Sequence, residues 1–541
     1  MSLFQADLLL QNGTIYLVEP ANLRAQAVAV KDGRIFAVGD DNELEPLIGS
    51  RTRVIHLDGC LVLPGFTDSH THFLAYALRR QQVVLDGVDD WEEVRCRIRA
   101  GIERAAPGEW VLGWGWNQNL WGDGTFPSKA DLDDITPHNP VALTRTDYHA
   151  LWVNSLALER GGITAETPDR PGSRIDRDPA TGEPSGILRE WGAMRLIEDV
   201  VSVPDDDVVD TALRETIAEA HRLGLTGVHD MPVETDRLNA LRTFQRLYRR
   251  GELTLRVSCA FPVSCLEEAI AVGLGSGLGD ATLRVGGVKV FTDGSMGSGT
   301  AWMLEPYADD PHNYGLAVTP RDRLHDIVRR AEQAGLSLII HAIGDRAIRE
   351  VLDVLAEVRK NGEWSMGRGL RHRIEHVQII HPDDVPRLAQ LGVIASIQPV
   401  HVMTDWPVAD RVWGHERSRT AYAFRSLLNA GTHLTLGSDC PVAPLNPLLG
   451  IQAAVLRQSE KGEPKDGWYP EERLTVAEAV RGYTMGPAYT VGLERALGSI
   501  TPGKLADLVV LDQNIFEIEP AEIANVKPTM TIFNGQVVYP V

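Results

Sequence analysis

His70 and His72 stand two residues apart in PGFTDSHTHF, after an apolar run, Cys60–Phe66. In an extended strand, residues i and i+2 share a face, so two imidazoles project together from the strand end. Neutral imidazole is the commonest protein ligand for zinc-like ions. The pair alone also fits a solvated loop, so the rest of the chain decides. Other short apolar runs end on polar groups too: His229-Asp230, Lys289, His341, His376, Gln398 and Asp439. His70, His72, His341, His376 and Asp439 offer four imidazoles and one carboxylate, donors for one or two divalent cations. Lys289, in VGGVKVFTDGS, is costly in an apolar interior unless it pairs with an acid such as Asp293 or is chemically altered. Addition of carbon dioxide would make it an anionic carbamate with one oxygen for each of two ions.

These groups need a scaffold that brings strand ends to one place. Eight short apolar runs occur: Cys60–Phe66, Leu225–Val228, Leu255–Ala260, Val285–Phe291, Leu336–Ile340, His372–Val377, Val393–Ile397 and His433–Leu436. Helical stripes separate them. Thr319-Pro320 opens one, Leu324, Ile327, Val328 and Ala331 line its apolar face, and Gly335 closes it. This is the pattern of an α/β protein, a (β/α)8 TIM barrel, whose chemistry collects at the C-terminal ends of the strands. Both termini read differently, as short strands with turns at Asn12-Gly13, Lys31-Asp32-Gly33 and Asn534-Gly535. We expect a small β-sandwich from residues 1–61 and 485–541 around a barrel at 62–484. The gap after the first run is too long for one helix, so an inserted subdomain is expected at about 85–199. Within it, Pro168–Gly186 reads as a loop.

The insertion holds seven of the 12 tryptophans, several in the glycine-rich GWGWNQNLWGDG. They form either its core or an amphipathic lining for an apolar substrate, with Trp116 a candidate contact. His149, in RTDYHALWVNS, reads either as pocket lining or as a hydrogen-bonded structural residue. His229, Asp293 and Gln398 are the other candidate substrate-binding residues.

The chain has 541 residues, with 53 Lys+Arg against 74 Asp+Glu and a net charge of −21. This balance argues against nucleic-acid and anionic-membrane partners and leaves a small-molecule substrate. The opening MSLFQADLLLQNG lacks a basic stretch and does not read as a signal peptide, and no run of 18 apolar residues occurs. Five scattered cysteines without a C-x-x-C pair read as reduced thiols, so a cytoplasmic location is expected.

The chain resembles the amidohydrolase superfamily, in particular its type-3 branch of N-substituted formamide deformylase-like enzymes. The motifs, in the family's order, are PGFTDSHTH (64–72), VKVFTDGSMGSGTA (288–301), HAIGD (341–345), RIEH (373–376), GSDCPV (437–442) and PGKLADLVVLD (502–512). The resemblance implies two zinc ions: one on His70, His72 and Asp439, the other on His341 and His376, with carbamylated Lys289 bridging them. It implies hydrolysis of a non-peptide carbon–nitrogen bond, in an N-substituted amide or formamide, by metal-activated water, with Asp439 moving the proton. A homodimer is also implied. Gly299 departs from the pattern, where an arginine is expected, which leaves any substrate contact from that position open. Asp507 and Asp512 of the last motif belong to the β domain. Two other readings compete: a mononuclear deaminase using Asp345 as proton shuttle, and a non-catalytic assembly protein on the same fold.

Overall fold

The computed structural model describes residues 5–19, 23–121, 125–136, 138–145, 150–170, 173–232, 239–360 and 369–540. The chain divides into two compact units, Met1–Leu74 with Arg214–Val541, and Ala75–Leu213.

The first unit is built on an eight-stranded parallel sheet in sequential order. Its strands, in chain order, are Phe66–Thr71, Leu225–Asp230, Arg256–Pro262, Leu283–Phe291, Leu338–Ala342, Arg373–His376, Ile394–Ile397 and Leu434–Leu436. Strands covered on both faces read as unbroken apolar runs, which is why most of them were visible in the sequence. The seam between strands eight and one is tied at the top. The Asp439 N–H donates to His70 O at 2.7 Å, and the Ser438 N–H donates to the Asp68 carboxylate at 3.0 Å. The result is a near-closed (β/α)8 barrel.

Two expectations need correction here. The run Cys60–Phe66 is not the first barrel strand. Leu61–Pro64 pairs with Leu508–Leu511 and with Thr14–Tyr16 in a terminal sheet, and the barrel begins at Phe66. Gly65 separates the two strands, and a β-carbon there would lie 2.3 Å from Thr226 Oγ1, so the apolar run reads through the junction. The helix Arg321–Ala334 buries the expected face and ends on Gly335 at φ 76°. Its N-cap residue, however, is Pro320, and the Thr319 hydroxyl donates instead to Phe291 O at 2.6 Å.

The N-terminal segment contributes to two sheets, and the C-terminal segment joins one of them. One contains Leu8–Gln11, Ala27–Lys31, Arg34–Gly39 and Arg53–His56. The other contains Leu61–Pro64 between the strand Thr14–Tyr16 and the C-terminal strands Leu508–Leu511, Pro528–Phe533 and Gln536–Tyr539. Leu8, Leu10, Val28 and Val30 pack with Val62, Leu508, Val510 and Ile532 in one shared core. The Asp32-Gly33 and Asn534-Gly535 turns have the paired positive φ angles that two-residue hairpins require.

The second unit carries a six-stranded mixed sheet. Pro168–Gly186 is not the unstructured loop expected: Arg174–Arg177 and Pro184–Arg189 form a hairpin closed by the Asp176–Arg189 ion pair at 2.7 Å. Its apolar signal is only Ile175, Ile187 and Leu188, too short for a periodicity to show. Among the described residues, no helix is long and apolar enough to cross a membrane.

Candidate metal centre

The polar residues at the barrel's strand ends converge. His70 lies inside the first strand and His72 just beyond it, with ring centroids 5.7 Å apart. Their Nε2 atoms stand 3.3 and 3.2 Å from Asp439 Oδ1. Ligands placed tetrahedrally at about 2.1 Å from one ion lie about 3.4 Å from each other, so this spacing fits a common cation. The His376 ring lies 4.9 Å from that of His70 and 4.6 Å from that of His341.

Each imidazole is oriented by a hydrogen bond from its other nitrogen, the usual device for fixing a ligand's tautomer. His70 Nδ1 donates to Glu375, His72 Nδ1 to Met231 O at 2.7 Å, and His376 Nδ1 to Gln398 Oε1 at 2.9 Å. His341 uses its other face, with Nε2 donating to Gly294 O at 3.0 Å. Burial, with Lys289 nearby, lowers the His341 pKa to about 3, and burial holds His376 well below the usual histidine range. Both rings are therefore neutral, the form that binds metal.

The backbone is strained at two of these positions. His376 has φ 74° and Asp439 φ 63°, in the left-handed region that side chains rarely enter. Each costs on the order of 1–3 kcal/mol and persists only where the surroundings enforce it. At Asp439 the enforcing contact is the seam bond to His70 O. At His376 it is the following amide, with Val377 N–H donating to Ala342 O at 3.2 Å.

Lys289 is 1% exposed, and among the described residues its Nζ has no hydrogen-bond partner. Asp293, its expected alternative partner, is spent elsewhere, accepting from the amides of Trp302, Ile343 and Gly344. Burial lowers the Lys289 pKa to about 8, against the opposing pull of Glu375 and Asp439. For Asp439, burial would raise the pKa, but the His70 and His72 imidazoles outweigh it and hold the carboxyl well below the usual range. Asp439 Oδ1 also lacks a hydrogen bond among the described residues. Unpartnered buried polar atoms are rare and costly. A cation among His70, His72 and Asp439, and a modified Lys289, would satisfy them, so these residues fit a metal centre.

The other expected residues fall as follows. Gln398 contacts His376 rather than open space. His229 is buried, and its Nδ1 accepts from Arg373 at 2.9 Å, inside a network that also holds Glu375. Asp293 fixes loop amides, as above, and burial raises its pKa to about 7. Trp116 is a correction: it is 0% exposed and its indole N–H donates to Leu143 O. It packs with Trp121, Phe126 and Trp152 in the insertion's own core, so it offers no substrate surface. His149 lies outside the described residues. Gly299 occupies a turn at φ 68°. Asp345 accepts from the Leu304 amide at 2.8 Å.

Sequence reasoning missed three groups. Asp68 anchors the seam, and burial raises its pKa to about 7. Glu375 joins His70 to Arg373. His401 places Nε2 3.9 Å from Asp439 Oδ2. Asp68 and Glu375 carried a signal, as residues inside PGFTDSHTH and RIEH, whereas His401 lies in none of the motifs.

The amidohydrolase family's sequence profile spans residues 53–539. The chain belongs to the amidohydrolase family. Protein LONG AFTER FAR-RED 3 of Arabidopsis thaliana is 38% identical over 99% of this chain and 92% of its own length. The N-substituted formamide deformylase of Arthrobacter pascens is 29% identical over 98% of each. An uncharacterized metal-dependent hydrolase from Pyrococcus furiosus superposes with a TM-score of 0.78 at 29% identity, covering 94% of this chain and all of the other. As an amidohydrolase, the protein is a metal-dependent hydrolase acting on carbon–nitrogen bonds.

Proposed function

We propose that this amidohydrolase cleaves an N-substituted amide or formamide, using two zinc ions and a carboxylated Lys289. The observation that carries the reading is the buried Lys289 Nζ, without a hydrogen-bond partner among the described residues, in electrostatic reach of His341, His376 and Asp439. A donor set of imidazole nitrogen and carboxylate oxygen suits zinc. His70, His72 and Asp439 would hold one ion, and His341 and His376 the other, with Lys289 between them. A lysine with a pKa near 8 is neutral in about a tenth of molecules at pH 7, and the neutral amine adds to carbon dioxide, releasing one proton and leaving a carbamate. When bound, the ions would polarise the scissile carbonyl and bring the pKa of water toward neutrality.

The chain's own residues do the rest. Asp439 turns Oδ1 to the two histidines, which leaves Oδ2 to take a proton from attacking water. That oxygen then delivers the proton to the departing nitrogen, which cannot leave as an amide anion. Glu375, Gln398, and the carbonyls of Met231 and Gly294 hold the imidazoles in register. The relationship to the formamide deformylase supports a formyl or small acyl group on a substituted nitrogen.

A panel of N-benzyl and N-alkyl formamides and acetamides tests this. We expect release of formate and amine from the zinc-loaded protein, with no turnover after chelation. Turnover of none of the panel, with ions bound, would reject the substrate class.

A further inference from the structure

His401 ends the short turn Pro399–His401 that follows the seventh barrel strand. It is buried, and among the described residues its Nε2 has no hydrogen-bond partner. That atom lies 3.9 Å from Asp439 Oδ2, and its ring is parallel to that of His376, 6.5 Å away with a 13° tilt. One ligand atom from each of His376, His401 and Asp439 lies within 4.8 Å of the others. A buried imidazole nitrogen without a partner is costly, so this position calls for one. Donors sharing one ion at about 2.1 Å are separated by about 3.4 Å in a tetrahedron and at most about 4.2 Å across the ion. The 3.9 Å separation of His401 and Asp439 falls inside that range.

Asp439 makes this arrangement possible. Its Oδ1 faces His70 and His72, while Oδ2 faces His401, so one carboxylate can serve two neighbouring positions. We propose that His376, His401 and Asp439 Oδ2 form a divalent-cation seat that fills while Lys289 is unmodified, a state in which Oδ2 is a ligand and not the free proton acceptor of the reaction. The inference rests on the metal-dependent reading of the site, and it adds a ligand from the turn after the seventh strand that the strand-end pattern did not supply. The seat shares His376 with the pair His376–His341, so one ion at a time occupies that side. Two imidazoles and a carboxylate select a first-row ion such as zinc or cobalt over calcium or magnesium.

Cobalt(II) binding to the full-length, chelator-stripped protein tests the proposal in buffer free of carbon dioxide. Bound cobalt is counted per chain, and the visible spectrum reports its ligands. The Lys289→Met protein is expected to retain about two ions. Adding His401→Ala, or His401→Gln should the alanine variant fold poorly, is expected to leave about one and to weaken the second site at least tenfold. One ion in Lys289→Met alone, or an unchanged count and spectrum on replacing His401, would overturn the seat while leaving the first ion intact. No cobalt on the wild-type protein would overturn the metal reading as well. A lost rate with unchanged cobalt binding would assign His401 to the substrate instead, and so also overturn the seat.

Discussion

At Asp439, one carboxylate is asked to be both ligand and proton carrier. Asp439→Asn keeps the shape and the seam amide but removes the proton-accepting oxygen. We expect kcat to fall by about 10²–10⁴ with the thermal midpoint within a few degrees of wild type. Near-wild-type turnover would remove Asp439 from proton transfer. Lys289 makes a separate prediction through linkage. Its folded pKa, about 8, lies below the ordinary lysine value near 10.4, so over that interval the unfolded chain binds more protons. The stability of metal-free, carbon-dioxide-free protein should therefore rise from about pH 8 to pH 10, by up to roughly 3 kcal/mol from this residue. Below about pH 8 the residue should add no slope. Denaturant melts of wild type and Lys289→Met isolate the effect, and identical pH slopes would contradict it.

At the scale of elements, the seam between strands eight and one decides the geometry. A β-carbon on Gly437 would lie 2.5 Å from His70 N, a backbone atom that cannot swing aside. Gly437→Ala should therefore cost about 1–3 kcal/mol and reduce metal retention, measured by melts and by metal analysis after dialysis. Undisturbed metal binding would show that the seam tolerates movement. Much of this architecture was legible beforehand. Strands two to eight announced themselves as apolar runs, and the turn residues at Asp32-Gly33 and Asn534-Gly535 marked the terminal hairpins. The first strand was misplaced because Leu61–Pro64 and Phe66–Thr71 are two consecutive strands with one apolar signature. The site was legible only where a donor ends a strand. Strict alternation would put Glu375 and His376 on opposite faces, and the positive φ at His376 is invisible in a sequence. His401 was hidden because it follows a turn, three residues past Gln398.

For the molecule as a whole, one buried ion pair links barrel to sandwich. Arg256 on the third strand grips Asp507, which also accepts the Asn534 amide at 2.8 Å. Removing one partner strands the other charge, so Asp507→Ala should destabilise by about 3–5 kcal/mol. Because the pair lies outside the metal centre, metal content per folded chain should stay unchanged. A drop in metal content at temperatures where the variant is folded would show that the sandwich supports the site.

The terminal sheet has a consequence for synthesis. Leu61–Pro64 finds its neighbour Leu508–Leu511 only after about 440 further residues have been made, roughly 20–90 s at ordinary translation rates. Through that interval the nascent N-terminal strands present Ile15, Val62 and Leu63 without the ladder that will cover them. The barrel can begin to assemble on the ribosome, while its companion sheet waits for the polypeptide's last strands.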